Sequence, residues 1–169
     1  MINGVLLISF FLDGLLSIYQ GHTFFHILAI RPMFTIVALV LIYPFLIKDR
    51  YRYFRLCAFT GLAYDLIYTN TLVLNVLMFV LLGLIIEHLY SFFSDTLLNS
   101  LFINIIVITL YHVLTFFVLA LIGYISFSVA TLSSGLFSMI ITNTVFFVLV
   151  YSSIQTLRDK RKKRSRYSL

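Results

Sequence analysis

Charge is scarce in this chain. Only 11% of its 169 residues are Asp, Glu, Lys or Arg, against roughly 25% in an ordinary soluble domain. A soluble fold of this length needs more polar surface than that, so the soluble class is excluded. Cys57 is the single cysteine, which rules out an internal disulfide and leaves the redox compartment unspecified. Catalytic signatures are also missing. There is no Gly-x-Ser-x-Gly elbow and no pair of carboxylates on one helical face. The inventory predicts no enzyme and no cofactor.

What the chain has in abundance is apolar surface. Hydrophobic residues make up 62% of it, and the mean hydropathy is +1.07. A helix crossing a bilayer needs about 20 predominantly apolar residues, and lipid obliges it to satisfy its own backbone hydrogen bonds. The alternating ten-residue segments of a membrane barrel are absent. The fold class is therefore all-α: a polytopic bundle of six transmembrane helices. Polar punctuation places the spans at 2–19, 27–47, 54–68, 72–90, 101–122 and 135–157, followed by a basic tail at 158–169. Arg31-Pro32 lies near the start of the second span, where proline is tolerated in a first turn. From Ile2 onward the N-terminus is apolar, without a basic n-region or a small-residue cleavage site, so it reads as a retained first helix.

The net charge of +6 is concentrated in two tracts. One holds Lys48, Arg50, Arg52 and Arg55; the other holds Arg158, Lys160, Arg161, Lys162, Lys163, Arg164 and Arg166. Basic residues near span ends mark cytoplasmic loops. Six spans put both tracts, and both termini, on the cytoplasmic side, whereas five would separate the tracts. The tail reads as a topology anchor drawn to anionic lipid headgroups rather than as a nucleic-acid arm.

Asp13, Asp65, Glu87, His88 and His112 fall in or near the spans. Ionised groups there cost roughly 2.5–3.5 kcal/mol on insertion scales and usually face the bundle interior or a partner. A shared Asp65–Glu87 ion site is disfavoured, because the two sit near opposite ends of their helices. Glu87, His88 and His112 make a weak metal set, since adjacent Glu87 and His88 point about 100° apart on a helix. Asn75, Asn104, Thr109, Thr115, Thr142 and Asn143 suit interhelical hydrogen bonding. Asn104, Tyr111 and Thr115 share one helical face. The segment Gly61-Leu62-Ala63-Tyr64-Asp65-Leu66-Ile67-Tyr68-Thr69 stands out. Gly61 and Asp65 lie on one face with Tyr68 one turn beyond. The glycine lets a neighbouring helix approach, and the tyrosine hydroxyls are placed to donate to the carboxylate.

That segment resembles the MreD family of rod shape-determining membrane proteins. Gly61, Tyr64, Asp65 and Tyr68 match the family's Gly-x-x-x-Asp third-helix segment, with its following aromatics and short turn. Arg31-Pro32 is similar to the pair that opens its second span. One departure is Val73, where the resemblance implies a glycine soon after the turn. The resemblance covers the whole chain in layout and is motif-specific over about 55–79. It implies a noncatalytic scaffold of the bacterial plasma membrane. Implied partners are MreC, and through it MreB and RodA with its penicillin-binding transpeptidase, in lateral peptidoglycan synthesis and cell shape. Gly61, Tyr64, Asp65, Tyr68 and Arg31 would form the partner-facing or internal polar cluster.

The architecture is also similar to the substrate-binding S-components of energy-coupling-factor vitamin transporters. This gives the rival reading of a small-molecule-binding transporter subunit. S-components dock through an Ala-x-x-x-Ala-like surface on the first helix, and Val5 to Gly14 here lacks paired small residues at that spacing. The scaffold is the favoured reading.

Overall fold

The computed structural model describes residues 2–19, 32–69, 73–133 and 135–166. Secondary structure among them is helical throughout, without a strand. In chain order the elements are α1 (Ile2–Tyr19), α2 (Phe34–Leu46), α3 (Arg50–Tyr64) continuing into a π-helical turn (Asp65–Thr69), α4 (Leu74–Phe92), α5 (Leu97–Leu121), a short α6 (Val129–Ser133) and α7 (Leu136–Arg166). Among the described residues three helical stretches are long and apolar enough to cross a membrane: Leu74–Phe92, Leu97–Leu121 and Leu136–Thr156. Asn3–Ser17 and Phe34–Leu46 are apolar but shorter.

The middle of the bundle is α2. Phe34 to Tyr43 and Leu46 are all buried, as expected of a helix that is apolar on every side. Around it α1, α3, α4, α5 and α7 turn one face inward. Phe79, Leu82 and Ile86 on α4, Ile103, Val107 and Ile108 on α5, and Met139 and Phe147 on α7 recur at helical spacing and are fully or almost fully buried. Their opposite faces carry Leu77, Leu81 and Leu84, or Ile141, Val145 and Leu149, exposed as lipid-facing residues are.

Several boundaries differ from the sequence expectation, each for a local reason. The described helix of the second span is Phe34–Leu46, with Pro32 and Met33 non-helical before it, and the expected start at residue 27 lies outside the described residues. Proline therefore precedes the helix instead of sitting in its first turn. The third begins at Arg50 rather than 54, because the Asp49 side chain accepts from Arg52 N at 3.4 Å and caps it. Arg50 and Arg52 consequently belong to the helix, with Arg55, and not to a loop. Thr96 caps α5 in the same way through Asn99 N, starting it four residues early. The last helix runs on to Arg166 through the basic tract, where a separate tail was expected. The side chains of Arg158, Lys160, Arg161, Lys162, Lys163 and Arg164 lie outside the described residues, as does Arg31.

Candidate functional site: a hydrogen-bonded layer at one end of the bundle

Helix starts leave backbone N–H groups without intrahelical partners, and in an apolar surrounding each must find an acceptor. Two helices here borrow a carboxylate from a neighbouring element. Asp13, buried on α1, accepts from Phe34 N (2.7 Å) through one oxygen and from Thr35 N (2.8 Å) and the Thr35 hydroxyl (2.6 Å) through the other. It caps α2, whose own N-cap position is Met33, a residue without a capping side chain. Asn143 on α7 completes the cap, its Oδ1 accepting from Met33 N at 2.8 Å. Asn143 is held in turn by its Nδ2 donating to Met139 O.

Asp65 repeats the arrangement on α4. One oxygen accepts from both the backbone N and the side-chain Nδ2 of Asn75 (3.0 Å each), and the other from Val76 N (3.1 Å). A tyrosine donor to this carboxylate was the sequence expectation; the described donors are instead the first turn of α4 and the Thr69 hydroxyl. Tyr68 points elsewhere, donating to Phe10 O on α1 at 2.7 Å. The reason is the π-helical turn at Asp65–Thr69, which breaks the α register just after the carboxylate.

Close approach is built in by glycine. A Cβ at Gly61 would sit 2.6 Å from Asn75 O and 2.7 Å from Val76 Cα, so α4 begins directly against α3. A Cβ at Gly14 would collide with the Tyr68 ring and hydroxyl. Val73, at the start of α4, has φ 75 and ψ −7. It is the one described non-glycine residue with positive φ, in the left-handed region where glycine is at ease and a β-branched residue is an outlier.

The bonds join into one layer. Asn143 ties α7 to the start of α2, Asp13 ties α2 to α1, Phe10 and Tyr68 tie α1 to the π-turn, and Asp65 ties that turn to α4. Asn75 Oδ1 then accepts from the Tyr111 hydroxyl at 2.8 Å, bringing in α5. Aromatic contacts run beside it, from Phe10 to Tyr68 and Tyr64 and on through Phe79 to Tyr111. Every long helix contributes. Tyr64 takes part through its ring, packed on Phe10, Tyr68 and Phe79. Asp13, Asn75 and Asn143 were visible in the sequence only as isolated polar residues, because the bonds that tie them to other helices reach across 10 to 110 positions.

Above this layer a cavity of about 770 Å³ opens between the start of α4 and the last turns of α5, lined among others by Thr69, Val73, Asn75, Tyr111, Thr115 and Tyr124. Among the described residues no charged side chain lines it. Asn104, on the same α5 face as Tyr111, is fully buried with neither amide atom hydrogen-bonded among the described residues.

At the other end, where α2 passes into α3, Arg50 pairs with Glu87 at 2.9 Å and lies over the Phe54 ring. His88 packs edge-on to Phe92 at this end, whereas His112, beside Tyr111 at the end that holds the layer, has its Nε2 3.0 Å from Leu132 O. Among the described residues no three His, Cys, Asp or Glu side chains converge. His22 and His26, four residues apart in the sequence, lie outside the described residues.

A family model described as the rod shape-determining protein MreD matches residues 1–158. No curated protein matches the chain. No solved structure matches it either.

Proposed function

This chain belongs to the MreD family of rod shape-determining proteins, and on that premise we propose that it is a noncatalytic, multi-pass scaffold of the bacterial plasma membrane. In this reading it binds MreC and, with MreB, RodA and its penicillin-binding transpeptidase, helps organise lateral peptidoglycan synthesis. α1, α2, and α3 with its π-turn join the three long apolar helices to give six crossings with both termini in the cytoplasm. Supporting that orientation, the Lys48–Arg55 tract and the basic end of α7 then face the same side.

The observation that carries the reading is the hydrogen-bonded layer. Its two buried carboxylates are directed at the backbone N–H groups of neighbouring helices. Such contacts fix helices in register, which is what a docking platform for other transmembrane helices requires. Association in lipid depends on packing and interhelical hydrogen bonds rather than on apolar burial. Gly61, Tyr64, Asp65 and Tyr68 act as internal parts of that platform, and Arg31, outside the described residues, is the candidate to anchor at the external headgroups or to pair with an acid on a partner.

Affinity purification of the full chain from native membranes tests the proposal. Recovery of MreC and RodA is expected, and an Asp65→Asn variant is expected to insert normally while recovering less MreC. Normal cell shape together with undiminished MreC recovery in that variant would remove Asp65 from the account. The cavity, uncharged among the described residues, favours the second reading, a small-molecule-binding subunit similar to transporter S-components. Its volume falls in the usual range for ligand sites. Co-purification of an ATPase pair, or thermal stabilisation by a vitamin, would make that reading the better one.

A further inference from the structure

The groove between α3 and α4 at the Arg50 end is amphipathic along its length. Its cavity, about 430 Å³, is lined by Arg50, Tyr51, Phe54, Val80 and Leu84. Arg50 and Phe54 are four apart on α3. Glu87, Leu84 and Val80 descend one face of α4, so Val80 lies about 10 Å deeper than Glu87 at 1.5 Å per residue. The Arg50 side chain is 63% exposed at the mouth, its guanidinium over the Phe54 ring, and Tyr51 beside it is 86% exposed. Below them the walls are wholly apolar. A cation and an exposed aromatic at one level, with a hydrocarbon slot beneath, is the profile of a phospholipid standing in one leaflet.

The sign of the charge selects the headgroup. Lys48, Arg52 and Arg55 neighbour Arg50 in the sequence, against Asp49, and make this end of α3 basic overall. Asp49 is occupied in capping α3. Glu87 is the group that competes for Arg50, and it is 27% exposed, so the pair sits where a headgroup can reach it. Arginine donates in a fork that suits phosphate oxygens.

We propose that this groove binds an anionic phospholipid, its phosphate on Arg50 in exchange with Glu87 and one acyl chain along Phe54, Leu84 and Val80. The proposal rests on the chain being membrane-embedded and needs no protein partner. Nanodiscs offer the same lipid on both faces, so its failure and a failure of MreC binding are separate results.

The test is native mass spectrometry of the full-length protein released from nanodiscs of phosphatidylglycerol mixed equally with phosphatidylcholine. Preferential retention of phosphatidylglycerol is expected, falling about fivefold in Arg50→Gln, the weight of one basic residue at a membrane surface. Glu87→Gln removes the competitor and is expected to raise retention. That opposite sign separates lipid binding from mere loss of the ion pair, which both variants share. Equal retention of the two lipids overturns the proposal, as does a fall in both variants. So does a preference that survives Arg50→Gln and vanishes when residues 158–169 are removed, which would assign the headgroup to the tail.

Discussion

Asp13 and Thr35 are held together twice, the same carboxylate oxygen accepting the backbone N–H of Thr35 at 2.8 Å and its hydroxyl at 2.6 Å. One residue of α1 thereby fixes where α2, the central helix, begins. Replacing Asp13 with Ala strands three donors at a buried helix end and is expected to cost on the order of 3 kcal/mol or more. Asn keeps a single acceptor oxygen and should fall between. Thr35→Val removes one donor at constant shape and should cost about 1 kcal/mol. Thermal unfolding in detergent gives the ranking; equal losses in Asp13→Ala and Thr35→Val would assign Asp13 a role other than capping.

Val73 carries backbone strain that a smaller residue relieves. A left-handed conformation costs an L-residue roughly 1–2 kcal/mol, and φ at Val73 is 75. Val73→Gly is therefore expected to stabilise the protein by about 1 kcal/mol, part of the relief being returned through the greater freedom of glycine in the unfolded chain. Val73→Ala retains a Cβ and should gain less. A lower melting temperature for the glycine variant would mean that the valine side chain contributes packing worth more than its strain.

How far the site was legible in the sequence depends on the range of each contact. Gly61 was readable as a point of close approach, because it sits one turn before a buried acid on the same face. The identity of the donors to Asp65 was not. Tyrosines nearby in sequence suggest themselves, whereas the short link to α4 brings a helix start, with its unpaired N–H groups, against the carboxylate. Asp13 gave no local sign at all, since its partners are 21 and 22 residues on. Asn143 acts across 110 residues. The capping role of Asp49 was not read from the sequence, because the basic residues around it read as a loop. The long apolar helices follow from hydropathy, and their ends depend on caps that tertiary contacts supply.

Asn75 is the joint between α4 and α5. It donates to Asp65 and to Thr69, and accepts from Tyr111. Tyr111→Phe leaves its carbonyl without that donor, and a double-mutant cycle with Asn75→Ala should give a coupling of about 0.6–1.7 kcal/mol, the range for interhelical hydrogen bonds in membranes. Additive losses would show that the Tyr111 ring, packed edge-on to Phe79, matters more than its hydroxyl.

Gly61 and Gly83 both lie in the α3–α4 contact, and they should respond differently to a methyl group. At Gly61 the new atom meets backbone, Asn75 O at 2.6 Å and Val76 Cα at 2.7 Å, which cannot swing aside. At Gly83 it meets Cys57 Sγ at 3.0 Å, the tip of a side chain that can yield, and alanine is the better helix former by about 1 kcal/mol. Gly61→Ala is thus expected to destabilise by about 1–3 kcal/mol or more, and Gly83→Ala to stay within about 1 kcal/mol of the parent. Pushing α4 off α3 also lengthens the Asp65 to Val76 N bond, now 3.1 Å. The losses from Gly61→Ala and Asp65→Asn should therefore be less than additive, since each weakens the same cap. Full additivity in paired melting curves would mean that the glycine contact and the carboxylate cap hold the hairpin independently.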